Sequence, residues 1–203
     1  SNLILRPPNR DELPNLASLQ NAANAKSHLH HLMAPGQFQD PKAYYEWTLL
    51  RQRTRFVTPF LRFIIAEDAQ TNEILGLSLW SAQGESALRR RWESAGSIFD
   101  RAFWGMERAL LDAEMKYNRY ILGDKIIDYD FVNRFVCAAH EAGEAIPPCL
   151  HLWVLMTAPA AQGKGVGKAL MDRGKTLARQ EGLSLILESN LEAVGFYEKM
   201  GMK

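Results

Sequence analysis

Residues 162–167 read Gln162-Gly163-Lys164-Gly165-Val166-Gly167, three glycines in six positions. A strand-like apolar run, Leu150 to Thr157, precedes them, and a helix-like run, Val166 to Glu181, follows. Glycine lacks the Cβ that keeps backbone N–H groups away from a ligand, and it tolerates positive φ. A helix starting there exposes unpaired N–H groups and the positive end of its dipole. Such a loop predicts an α/β chain with a phosphate seat between strand and helix. Ser184-Leu185-Ile186-Leu187-Glu188 reads as a second buried strand, reached through that helix. The two strands are therefore predicted to be parallel, with a right-handed crossover.

The remaining elements fit around this unit. Leu3 to Arg6 reads as a short strand stopped by Pro7-Pro8. Asp11 is predicted to cap a helix with Pro14 in its first turn, and Asp40 a second helix from Pro41 to about Arg53. Phe60–Glu67 and Glu73–Ser81 read as a hairpin, with Leu75, Leu77 and Leu79 on one side. Residues 84–147 read as a helical insertion of two or three helices. Phe99, Phe103, Met106 and Leu110 recur at helical spacing there, as do Ile127, Phe131, Phe135 and Ala138. These helices are expected to cover a sheet face, to wall a substrate pocket, or both. Asn190 is predicted to cap a last helix with Ala193, Phe196, Tyr197 and Met200 inward. The whole, 1–203, reads as one domain.

A net charge of +1 gives no field that would draw nucleic acid or a membrane surface. No apolar run approaches the ~20 residues that span a bilayer. Cys137 and Cys149 form neither a disulfide framework nor a metal pair, so a reducing cytoplasm is the default. His28, His30 and His31 are predicted in the loop after the first helix, without a Cys or carboxylate at ligand spacing, and no metal is expected.

Three phosphate loops compete for residues 162–167. A nucleoside-triphosphate loop needs Gly-Lys-Ser/Thr, whereas Gly163-Lys164 is followed by Gly165 and Gly167-Lys168 by Ala169. A dinucleotide loop needs G-x-G-x-x-G, and the spacing of Gly163, Gly165 and Gly167 differs. The third pattern, [Q/R]-x-x-G-x-[G/A], is met at every fixed position. A second run, Asn190, Ala193, Tyr197, Glu198, Lys199 and Gly201, follows N-x-x-A-x-x-x-Y-E-K-x-G-F, with Met202 in place of the final Phe. Together and in this order, 23 residues apart from Gly167 to Asn190, the two resemble the GNAT superfamily of acetyl-CoA-dependent N-acetyltransferases.

That resemblance implies a mixed α/β sheet flanked by helices, with acetyl-CoA between two parting parallel strands. The pantetheine arm would run along the main chain of Leu155, Met156 and Thr157. The pyrophosphate would sit on the N–H groups of Gln162, Gly163, Lys164, Gly165, Val166, Gly167 and Lys168, and Asn190 would be a further contact. Tyr197 would be the acid that protonates the leaving sulfur; its alternative is a core side chain. His151 and Glu188 are the polar groups nearest to the strands, and neither is assigned as the base. The expected acceptor is a primary amine of a small molecule. Glu107, Asp112, Glu114, Asp124 and Asp128 could attract it, or could simply be solvated. A protein N-terminus or lysine as acceptor, and a non-catalytic CoA-binding regulator, are the alternatives. A homodimer is left open. Two departures stand out. The insertion 84–147 replaces a short loop, and the final β-hairpin of the family is missing, so the natural protein is expected to continue beyond Lys203.

Overall fold

The computed structural model describes residues 2–143 and 147–202, the side chains of 138–143 excepted. One five-stranded sheet runs in the order β1 (Leu3–Arg6), β2 (Leu61–Asp68), β3 (Ile74–Gln83), β4 (Cys149–Thr157) and β5 (Ser184–Leu187). The first four strands are antiparallel neighbours, and β5 joins β4 in parallel. The mixed α/β sheet is therefore as the sequence predicts, and β4 sits inside it. No strand follows β5 among the described residues.

Helices lie on both faces. On one, Leu13, Leu16 and Leu19 of α1 (Leu13–Asn24) pack on Phe63, Ile65, Leu77 and Leu79. On the other, Met171 and Ala178 of α7 (Val166–Glu181) pack with Trp80, Leu150 and Leu152. Gly174 makes that contact close. A Cβ placed on it would stand 2.0 Å from Trp80 Cη2. The indole is fully buried, and its Nε1 donates to Ser78 Oγ at 2.9 Å.

Several local expectations change. Glu12, not Asp11, precedes α1, and its carboxylate accepts from the Asn9 N–H at 2.6 Å. The histidines predicted in a loop form the short helix α2 (His28–Met33). The helix α3 (Pro41–Phe56) is capped by Asp40 as predicted, but runs past Arg53. Leu75 does not share a face with Leu77 and Leu79. Ala66 pairs with Gly76 and Glu67 with Ile74, so the ladder skips Leu75, which turns towards Val166 and Leu170.

The insertion holds three helices, α4 (Ala87–Glu93), α5 (Ile98–Tyr120) and α6 (Tyr129–Gly143). Leu88 and Trp92 of α4 join the cluster around Trp80, so part of the insertion does cover the sheet. α5 instead packs on α3 through Leu111, with Trp104 and Met115 beside it. The stripe expected to face inward is therefore outside: Phe99 is 82% exposed and Leu110 65%. Two apolar stripes share this helix, and spacing alone could not choose between them. Ile127 is buried ahead of α6 against Tyr44, Phe135 is exposed, and Ala138 falls outside the described side chains. Three of the acidic residues of this region hold structure. Glu107 pairs with Arg10, Asp124 accepts from Tyr129 Oη at 2.6 Å, and Asp128 caps the N–H of Phe131 at 2.8 Å.

Candidate active site

β4 pairs with β3 along its length, up to Thr157 opposite Gly76, but with β5 only from Cys149 to Leu152. The cause is a bulge. Leu79 pairs with Val154 and Trp80 with Leu152, which leaves Trp153 unmatched. The extra residue reverses the alternation of β4. Leu150 and Leu152 face α7, and so does Leu155, while Val154 and Met156 face α1. Past the bulge the edge of β4 towards β5 is unpaired among the described residues, and Leu155, Met156 and Thr157 lie on it. A free edge of backbone donors and acceptors suits an extended, amide-bearing arm.

The glycine loop continues from that edge. Gly163 (φ 75°) and Gly165 (φ 85°) are left-handed, and a Cβ on either would meet no atom within 4 Å. Conformation demands glycine here, and the space above is open. The Gln162 and Lys164 N–H groups close turns onto Pro159 O and Ala161 O, at 3.4 and 3.3 Å. Those of Gly163, Gly165, Val166, Gly167 and Lys168 make no backbone bond among the described residues. The loop thus offers an anion donors from the start of a 16-residue helix, without relying on a side-chain charge. The Lys168 ammonium is engaged with Asp172 at 2.6 Å, and Lys164 is exposed.

The last helix, α8 (Val194–Lys199), closes over both. Asn190 Oδ1 accepts from the Ala193 N–H at 3.0 Å and caps the turn Leu191–Ala193 that leads into α8. A Cβ on Gly167 would stand 3.5 Å from Thr157 Oγ1 and 3.6 Å from Phe196 Cζ. Strand end, helix start and tyrosine helix therefore meet at Gly167. Tyr197, like Leu155 and Leu187, packs against the cluster of Met171 and Leu152, which lines the parting of β4 and β5. Its ring is part of a core, as the alternative reading had it. Its hydroxyl is not shut off from solvent and makes no hydrogen bond among the described residues. Burial raises its pKa, so the phenol stays protonated and able to donate.

His151 and Glu188 form a pair at the base of the gap. His151 Nε2 lies 2.6 Å from Glu188 Oε2, and His151 Nδ1 lies 2.6 Å from Gln83 Nε2. With the Gln83 amide donating to Nδ1, the ring proton sits on Nε2 and points at Glu188. That bond holds the Glu188 carboxyl below the usual carboxylate range. Both ring nitrogens are used, so His151 is a buried histidine with its hydrogen bonds satisfied. Trp153 and Phe196 are the site residues that spacing missed. A bulge and a cross-helix contact leave no local pattern to read.

The parting strands, the loop with free N–H groups and the capping helix together define an α/β fold of the acetyltransferase type. The model of the Acetyltransferase (GNAT) family matches residues 127–202. That match covers 76 of the 203 residues, and the fold of the chain agrees with it. Over 54 residues the chain is 44% identical to the peptidyl-lysine N-acetyltransferase YjaB of Salmonella typhimurium. That stretch is 26% of this chain and 36% of the relative, so the chain spans about a third of that relative's length. A Corynebacterium glutamicum structure, histone acetyltransferase HPA2 and related acetyltransferase, superposes with TM-score 0.54 at 17% identity, covering 99% of this chain and 84% of that one. The aminoglycoside N-acetyltransferase AAC(6')-Iy, solved with CoA, gives TM-score 0.53 at 11% identity, covering 100% and 89%. No helix among the described residues is long and apolar enough to cross a membrane. No group of three or more His, Cys, Asp or Glu is placed to hold a metal there.

Proposed function

We propose that this protein is a single-domain N-acetyltransferase of the cytoplasm that moves the acetyl group of acetyl-CoA to a primary amine. One observation carries the reading. The unpaired edge of β4 runs directly into a loop of free N–H groups, and a tyrosine helix covers the junction. When bound, acetyl-CoA supplies an activated acetyl thioester. Leu155, Met156 and Thr157 would hold its pantetheine arm, residues 162–168 its pyrophosphate, and Asn190 would add a contact. A main-chain N–H of the Leu155–Thr157 edge would donate to the carbonyl oxygen as charge develops there. Tyr197 would give its proton to the departing sulfur. The base is left to a water chain, as the family resemblance implies, with Glu188 nearby as a fixed anion.

A small-molecule amine is the acceptor favoured by the helices α4–α6 that crowd one end of the fold. A protein lysine is the second reading, and the similarity to a peptidyl-lysine N-acetyltransferase favours it. The test is CoA release from acetyl-CoA with a panel of small amines, aminoglycosides and lysine peptides. Turnover on one class names the acceptor, and Tyr197→Phe should lower kcat at least about tenfold. Acetyl-CoA binding without turnover on any class would mean a regulator, and no binding would end the proposal.

A further inference from the structure

A cavity of about 450 Å³ lies between α3 and α5, and none of its walls belongs to the glycine loop or to β4. Four cations line it, Arg51 and Arg55 from α3 and Lys116 and Arg119 from α5. Asp112 is the single carboxylate in the wall among the described residues, and it stands 3.9 Å from Arg108. Arg51, Arg55, Lys116 and Arg119 make no hydrogen bond or ion pair among the described residues. Arg55 Nη1 is both buried and without a partner.

A second cavity shows what this chain does with arginines it means to satisfy. It is lined by Arg62 and Arg101 among others. Arg62 donates to the carbonyls of Pro59, Leu61 and Trp92 at 2.6–2.7 Å, and Arg101 to those of Ser94 and Gly96 at 2.8–3.0 Å. Nothing comparable reaches Arg51 or Arg55. A buried guanidinium nitrogen without a partner is costly, so Arg55, with Arg51 one turn before it, calls for a counter-charge. Of the other described acids, Asp124 is committed to Tyr129 and Glu107 to Arg10.

Aromatic rings hold two of the four groups in place. The Arg51 guanidinium sits 4.7 Å from the centre of the Trp47 ring, and that of Arg119 sits 4.3 Å from Tyr129. Stacking fixes the guanidinium planes and leaves their N–H edges free for a planar or tetrahedral oxyanion. The volume is that of a small-molecule site. The local field is also felt next door. Burial first, then the charges of Arg51 and Arg55, push the pKa of His30 down to about 4.

We propose that this cavity is a second ligand site, separate from the glycine loop, for a small organic anion bearing a carboxylate or phosphate on a flat apolar body. The site does not depend on the acetyltransferase reading. Binding is measured by calorimetry on the full chain with CoA in excess, so that the glycine loop is occupied. The probes are phenyl phosphate, benzoate and uncharged benzamide at constant ionic strength. One or both anions should bind, and benzamide should not. Phenyl phosphate alone assigns a phosphate ligand, benzoate alone a carboxylate. Arg51→Met with Arg55→Met should weaken the anion at least about tenfold, and the paired Lys variants should lose less. Should the double Met variant not fold, Arg119→Gln on the outer wall should still weaken binding by about threefold. The proposal falls if neither anion binds at about 10 mM, or if the variants bind as tightly as the parent chain. Anion binding without CoA binding would sustain this site and remove the acetyltransferase reading; the converse would do the opposite.

Discussion

The glycine loop and the cavity between α3 and α5 both offer donors to a negative group, by opposite means. The loop does it with backbone N–H groups and the near-absence of side chains. The cavity does it with four long cations brought together from two helices. In the loop the donors are aligned by local conformation, through glycines at positive φ and the start of α7. In the cavity they are aligned by tertiary packing, with aromatic rings as supports. A backbone site should therefore be insensitive to nearby charge and intolerant of any Cβ, and a side-chain site the reverse.

The sharpest way to break this contrast lies under the loop. Gly174→Ala would drive a Cβ to within 2.0 Å of Trp80 in a fully buried contact. It should cost about 3 kcal/mol or more, lowering Tm by roughly 6–12 °C in a thermal melt. A neutral substitution there would mean that α7 is not seated as described.

Next in size is Gly165→Val. The position is open but left-handed, so the loss should fall on function rather than on folding. We expect about a fiftyfold rise in the Kd for acetyl-CoA, read by calorimetry, with a smaller change in Tm. Equal affinity would show that the loop does not seat the pyrophosphate.

The helical side of the molecule should answer to pH. His30 contacts Asn24 at 3.2 Å and lies beside Tyr44 and His31, with Arg51 and Arg55 acting on it. Its pKa falls from 6.5 to about 4 on folding. The unfolded chain therefore takes up this proton first as pH drops. The stability that neutral His30 contributes is complete above about 6.5 and is lost progressively as pH falls to about 4. Allowing for part exposure, the loss is about 2 kcal/mol. Chemical denaturation across this range should show it, and His30→Asn should flatten the slope. An unchanged slope would mean that burial and the two arginines do not hold down the His30 pKa. The smallest effect is expected from Lys164→Ala, less than about threefold in the Kd for acetyl-CoA, because the proposed seat uses backbone N–H groups. A tenfold effect would make the loop a charge site after all.

The two regions also differ in how far they could be read in advance. Glycine spacing, the Asn190 cap and the parallel pairing of β4 with β5 were legible because each is decided within a few residues or by one helical connection. The inward stripe of α5 was misread because Phe99, Phe103, Met106 and Leu110 compete with Trp104, Leu111 and Met115 on one helix. The outcome depends on where α3 lies. Leu75 was misplaced for a similar reason, since one unmatched residue reverses the alternation that spacing assumes.

The residues alone were enough to establish a mixed α/β chain, a loop that must be glycine, and a tyrosine helix that follows it in the right order. Those are consequences of allowed φ and ψ, of capping, and of chain connectivity. Packing alone settled that a bulge at Trp153 parts β4 from β5, that Phe196 and Thr157 meet at Gly167, and that Arg51, Arg55, Lys116 and Arg119 face one space. Such contacts join residues far apart along the chain. Their energy comes from burial and from unmet charge, and neither leaves a periodic trace in the sequence.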